Sequence, residues 1–171
     1  MVVFFIAAAV VIAIVLSLIA LYNTLVKRRE MVFNGWADID VQLKRRADLV
    51  PPLVSTVKAY AAHEKTLFEE VSRERTRALA AGDDRAARAA AETALSVPMA
   101  RLFAVAEAYP DLRASEQFLA LQEALSETED KIEMARRFFN GAVREFNTLV
   151  QSFPANILNG VMGFQTATFF N

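Results

Sequence analysis

An unbroken apolar run opens the chain, and no other feature limits its fold as much. Of the first 21 residues 20 are apolar, Ser17 being the exception, and Val2 to Leu21 holds 14 Val, Ile, Leu or Phe residues with five Ala. As a helix, a run of this length spans about 30 Å, the thickness of a bilayer's hydrocarbon layer. At roughly −0.4 kcal/mol for each large aliphatic side chain, insertion gains at most on the order of 5 kcal/mol. A cleaved leader would need a basic start, a shorter apolar stretch and a small-x-small ending. Here no Lys or Arg precedes the run, and it closes on Leu21, Tyr22 and Asn23. Residues 2–22 are therefore expected to be a transmembrane anchor.

Lys27, Arg28 and Arg29 follow on one flank only. The positive-inside rule then predicts a single-pass protein of the inner (cytoplasmic) membrane, with its N-terminus outside and its C-terminal domain in the cytoplasm. Tyr22 falls at the interface, where an amphipathic ring is well accommodated.

The rest reads as one helical domain. The chain is 54% apolar, but without the anchor the figure falls to roughly 48%, that of an ordinary globular protein. No useful stretch alternates with period two. From Phe118 apolar or small residues recur at Leu121, Leu125, Thr128, Ile132, Ala135, Phe139, Ala142, Phe146, Leu149 and Phe153, the spacing of a long helix with one buried seam. A second seam passes through Trp36, Ile39, Leu43, Val50, Leu53, Val57, Tyr60, Leu67 and Val71, interrupted by Arg46 and Glu64. Pro51 and Pro52 lie inside it and permit either a kinked rod or a reversal of the chain. A third helix is expected from about Asp84 to Ala108, after residues 80–84, Asp83 and Asp84 among them, which read as a turn plus N-cap, with a bend at Pro98. The fold class is thus all-α: an N-terminal transmembrane helix, then an antiparallel up-and-down bundle of three to four long helices over residues 23–153. Residues 154–171 form an uncharged apolar tail with Ile157, Leu158, Val161, Met162, Phe164, Phe169 and Phe170, closed by Asn171. It is expected either to pack along the bundle or to present an apolar surface to lipid, a partner or another copy.

Chemistry is scarce. There is no Cys and a single His, so thiolate sites and ordinary zinc sites are excluded. His63-Glu64 starts like a zinc-protease helix, but Leu67 stands where the second His is needed. Carboxylate pairs such as Asp38 with Asp40 suit exposed helices, and Asp40 with Lys44 has the spacing of a helix-surface ion pair. No nucleophile has a base beside it. No catalytic, cofactor-binding or metal residues are assigned, and the net charge of −1 lacks the basic footprint of a nucleic-acid binder. Arg46 needs a partner because it sits on the apolar seam, and Asp40, Asp48 or a facing helix could supply one. The alternative is a docking surface built from Trp36, Lys44, Arg45 and Arg46, with Phe164, Phe169 and Phe170 in the tail as a further candidate surface.

Three blocks, Tyr22 to Glu64, Arg101 to Asn140 and Phe146 to Phe164, resemble the LemA family in the expected order. Gly35 and Pro52 stand where relatives carry Ala and Asn, and Pro98 also departs from the pattern. The resemblance implies the same anchor and antiparallel bundle, with no accepted activity and no catalytic residues. Some members are associated with magnetosome membranes, and family genes often lie near those of membrane metallopeptidases. The expected function is a non-enzymatic membrane-anchored scaffold that self-associates into a homo-oligomer on the cytoplasmic face. Alternatives are an adaptor for another membrane protein, such as a protease, or a membrane-shaping protein acting through its tail. The expected partners are the lipid bilayer, further copies and another membrane protein, with no nucleic acid and no cofactor.

Overall fold

A computed structural model describes residues 1–82 and 84–170. The expectations for Asp83, for Asn171 and for the side chains of Leu158, Val161 and Met162 lie outside the described residues. Among the described residues six helices occur in order: α1 (Val2–Lys58), α2 (Lys65–Ala80), α3 (Arg85–Glu107), the single turn α4 (Pro110–Arg113), α5 (Glu116–Gln151) and α6 (Ala155–Met162). No strand occurs among the described residues. The chain divides into two compact units, one of residues 1–37 with 137–169 and one of residues 38–136 with 170. The long helices α1 and α5 contribute to both.

In the unit built on residues 38–136, five helices share one core. Val50, Leu53, Val57 and Ala61 meet Leu67, Phe68 and Val71 of α2, Leu102 and Ala106 of α3, Leu112 of α4 and Phe118 and Leu125 of α5. The reversal between the first two helices falls at residues 59–64, not at the prolines. This removes Tyr60 from the seam and leaves it exposed, while Ala61 is fully buried in the turn. The main-chain N–H groups of Tyr60 and Ala61 both donate to the Val57 carbonyl, at 3.1 and 3.0 Å, which tightens the helix end into a turn without Gly or Pro.

The helix runs through Pro51 and Pro52. A proline there removes the N–H that would bond the carbonyl four residues earlier, which for Pro51 is Ala47. Arg75 of α2 supplies the missing donor, its Nε lying 2.5 Å from the Ala47 carbonyl oxygen, and the same guanidinium stands 3.6 Å from the Asp48 carboxylate. The prolines thus do not reverse the chain, and a neighbouring helix supplies a donor to the interrupted ladder. Asp84 caps α3 as expected, its carboxylate accepting from the N–H groups of Ala86 and Ala87 at 3.0 and 3.1 Å. Pro98 lies inside α3, buried.

In the other unit the first part of α1 faces the last part of α5. Leu25 and Val32 are buried with Phe139, Ala142, Val143, Phe146 and Val150. The α5 seam predicted at strict heptad spacing drifts onto Val143 and Val150, because 3.6 residues per turn do not divide seven. Phe153, the seam's expected last member, is 78% exposed. It lies beyond the helix, which ends at Gln151.

Candidate functional site

Two places concentrate the residues that could act: a buried charge cluster in the bundle and an apolar cap beside the anchor. The bundle cluster grows from Arg46, 8% exposed. Its guanidinium pairs with Glu92 of α3 and lies 2.8 Å from Glu129 of α5. Arg88, 1% exposed, bonds the other Glu92 oxygen at 3.1 Å and faces Asp40 at 3.5 Å. Asp40 in turn holds Lys44 at 2.6 Å, one helical turn on. Three helices are joined through alternating signs, and every carboxylate in the chain of contacts meets a cation.

Burial alone would pull the Arg46 pKa down, yet the negative charges and hydrogen bonds of Glu92 and Glu129 hold it above the ordinary arginine value. A cavity of about 360 Å³ opens beside this pair, lined by Met99, Phe103 and Leu125 along with Arg46 and Glu129. Its charged wall is the Arg46–Glu129 pair itself, and the Ser96 hydroxyl on its lining donates to the Glu92 carbonyl. Among the described residues no three His, Cys, Asp or Glu side chains gather as a metal cluster.

Of the residues anticipated from sequence, Lys44 and Arg45 are exposed, held by Asp40 and, at 3.6 Å, by Glu127. Trp36 is half-buried against Phe139, with ring centroids 5.9 Å apart. Arg46 faces inward, its partner coming from facing helices as the ion-pair reading required. His63 is exposed, its Nε2 lying 3.1 Å from the Tyr109 hydroxyl. Arg88 and Glu92 were not singled out by the sequence, because an i, i+4 pair usually marks a solvated face. The available signal was the alanine around them, at positions 86, 87, 89, 90 and 91. Such a small-sided helix lets neighbours approach until its charges are covered.

The tail is split in its exposure. Phe164 and Phe170 are buried, while Phe169 is half-exposed. Phe164 packs edge-on against Tyr22 at 5.8 Å and against Phe146 at 6.3 Å, with the Arg29 guanidinium 5.3 Å from its centroid. Phe170, in the bundle unit, receives Arg136 at 5.5 Å. Asn147 bonds Ala167 twice, donating to its carbonyl at 2.9 Å and accepting from its N–H at 2.8 Å. One side-chain amide thereby holds the tail's main chain as a neighbouring strand would.

The apolar start of α1 is the last element. Its most apolar window of 18 residues has a mean hydropathy of 3.3 and no buried residue. Such a surface is stable only in lipid or under other protein. Helix α3 also reaches a mean hydropathy of 1.2 in its most apolar window, one third of it buried. The paired Arg88 and Glu92 identify it as a bundle element.

A profile of the LemA family matches residues 35–171. The chain belongs to the LemA family. It is similar to the magnetosome proteins MamQ 1 and MamQ 2 of Paramagnetospirillum magneticum, each 26% identical over 185 aligned positions that cover 94% of this chain and 68% of the relative. It is also similar to magnetosome protein MamQ of Magnetospirillum gryphiswaldense, 24% identical over 189 positions, 92% of this chain and 70% of that one. Together with the exposed apolar start of α1, these likenesses make this LemA protein a membrane-anchored helical protein.

Proposed function

We propose that this LemA protein is a non-enzymatic scaffold that self-associates on the cytoplasmic face of the membrane. The observation that carries this reading is a contrast in how its polar and apolar groups are satisfied. The buried charges of the bundle pair with one another across three helices. Large apolar side chains outside the anchor stay open to solvent, notably Phe33, Phe138, Val41, Val97 and Met134, between 49% and 60% exposed. Lys27, Arg28 and Arg29 on the bundle side of the anchor support the cytoplasmic orientation.

Native particle mass in mild detergent, followed over a wide dilution range, tests the assembly. Oligomers that dissociate on dilution are expected, and a strictly monomeric particle throughout rejects the scaffold. Protease added outside intact cells tests the orientation and should leave the bundle uncut. Adaptor binding through Lys44 and Arg45 has less support, since both cations already meet carboxylates.

A further inference from the structure

The place of α6 is set by the register of the two helices that precede and support it. Trp36 lies against Phe139, Arg28 pairs with Glu145, and Thr24 shares a cavity with Thr148, Leu149 and Ser152. Each step toward the start of α1 is matched by a step toward the end of α5, so the two run antiparallel. Helix α5 therefore ends level with Thr24, at the foot of the anchor. Beyond that point the chain enters α6. The chain then turns back: Gly163, at φ 70°, closes α6 in a backbone conformation that only glycine takes readily, and Phe164 returns to Tyr22.

The segment is thus bracketed, Ser152 on one side at the level of Thr24 and Phe164 on the other at Tyr22. Ala155 is buried, whereas Phe153 is 78% and Ile157 68% exposed. No ionisable side chain occurs from Phe146 to Asn171. The two Asn147 bonds to Ala167 fix the returning arm, so the tip is ordered in advance.

We propose that α6 is an interfacial helix, which enters the headgroup–acyl boundary of the leaflet on the bundle side and gives the protein a second membrane contact beside its anchor. The occupant of the exposed face is lipid because the face lies at the depth where the anchor enters the bilayer. An uncharged, aromatic-bearing surface at that depth matches the aromatic belts of membrane proteins. Phe153 and Ile157 act as wedges, and Tyr22 with Phe164 form the aromatic collar around them. The inference rests on the anchor reading.

The chain has no cysteine, so single-cysteine variants of the full protein report one position each. Phe153→Cys, Ile157→Cys and, as a control on an exposed bundle position, Met134→Cys would carry an environment-sensitive fluorophore. The proteins would be reconstituted at one chain per vesicle in phosphatidylethanolamine and phosphatidylglycerol containing a lipid spin-labelled near the glycerol end of its acyl chain. Quenching at positions 153 and 157 is expected to exceed that at 134 roughly threefold, as for an amphipathic helix lying at the acyl boundary. Quenching no stronger than at 134, in protein that floats with the vesicles, overturns the inference and leaves the anchor standing. That result covers a tail facing water as well as one facing a second copy. Failure to float overturns the anchor reading and this inference with it.

Discussion

The two compact units solve the same problem with opposite means. The bundle buries Arg46, Arg88 and Glu92 among apolar side chains and pairs them with one another. The anchor-side unit buries Phe139, Phe146 and Phe164 and leaves its charged pair, Arg28 with Glu145, at the surface. Buried ion pairs gain little over an apolar core, because desolvation offsets most of their attraction. Their contribution is a register, since any slip of α1, α3 or α5 would strand a charge. The anchor-side unit takes its register from ring contacts and from Asn147, and it keeps apolar surface in reserve. Charge here holds the register of the bundle, and exposed apolar side chains carry the assembly proposed above.

The sharpest way to break this contrast is to remove the charge that two arginines share. Glu92→Ala strands Arg46 and Arg88 together and is expected to cost about 3–5 kcal/mol, read from denaturant unfolding of the full chain in detergent by circular dichroism. Glu129→Ala, whose side chain is 53% exposed, should cost about 1 kcal/mol, in the range of partly solvated pairs. Equal losses would mean that the network is not organised around Glu92. Because the folded pKa of Arg46 is raised, its stabilisation is complete below the ordinary arginine pKa and fades only as pH rises through the folded value. Titration of Arg46 should therefore contribute no change in bundle stability between pH 6 and 9, an interval about three units below any arginine transition.

A smaller effect is expected at the proline pair. Arg75→Met leaves the Ala47 carbonyl unbonded and should cost about 1–2 kcal/mol. In a Pro51→Ala background the main-chain N–H returns to that carbonyl, and the same change should cost less than half as much. An undiminished loss in the double variant would show that Arg75 acts through Asp48 alone.

Less again is expected for the global stability of an Asn147→Ala variant, about 1 kcal/mol or below, since the arm it holds is a terminal segment. The local effect should be large. Hydrogen exchange at Ala167 should rise at least tenfold while protection of α5 is unchanged, and a loss spread evenly over both would show that the tail is part of the unit's core.

The sequence and the structure agree where a signal is long and part where it is single. The anchor, the long helices and the Asp84 cap were legible, because each rests on many residues or on a cap with a defined partner. The reversal at residues 59–64 was not, since it contains neither Gly nor Pro. The two prolines that drew attention lie within a continuous helix, repaired by an arginine 24 residues further on in the sequence. Arg46 announced its need for a partner, but periodicity does not say which carboxylate a facing helix will bring. The tail's composition showed that it avoids charge. Only the pairing of α1 with α5 shows that it doubles back at the anchor's foot.

The smallest effect should appear where the anchor-side helices come closest. A methyl group on Gly35 would stand 3.2 Å from Phe139 Cα and 3.2 Å from Phe138 Cδ1. The Phe138 ring is half-exposed and can turn aside, whereas Phe139 Cα can yield only if α5 moves. Removing a glycine from a helix interior gains about 1 kcal/mol, which an overlap of this size can cancel. Gly35→Ala is expected to change stability by less than about 1 kcal/mol. Gly35→Leu, too large for a ring rotation to absorb, should lose about 2 kcal/mol or more. If leucine were tolerated as well as alanine in the same unfolding measurement, α1 and α5 would not meet at Gly35. The register that sets α6 at the foot of the anchor would then lose one of its fixed points.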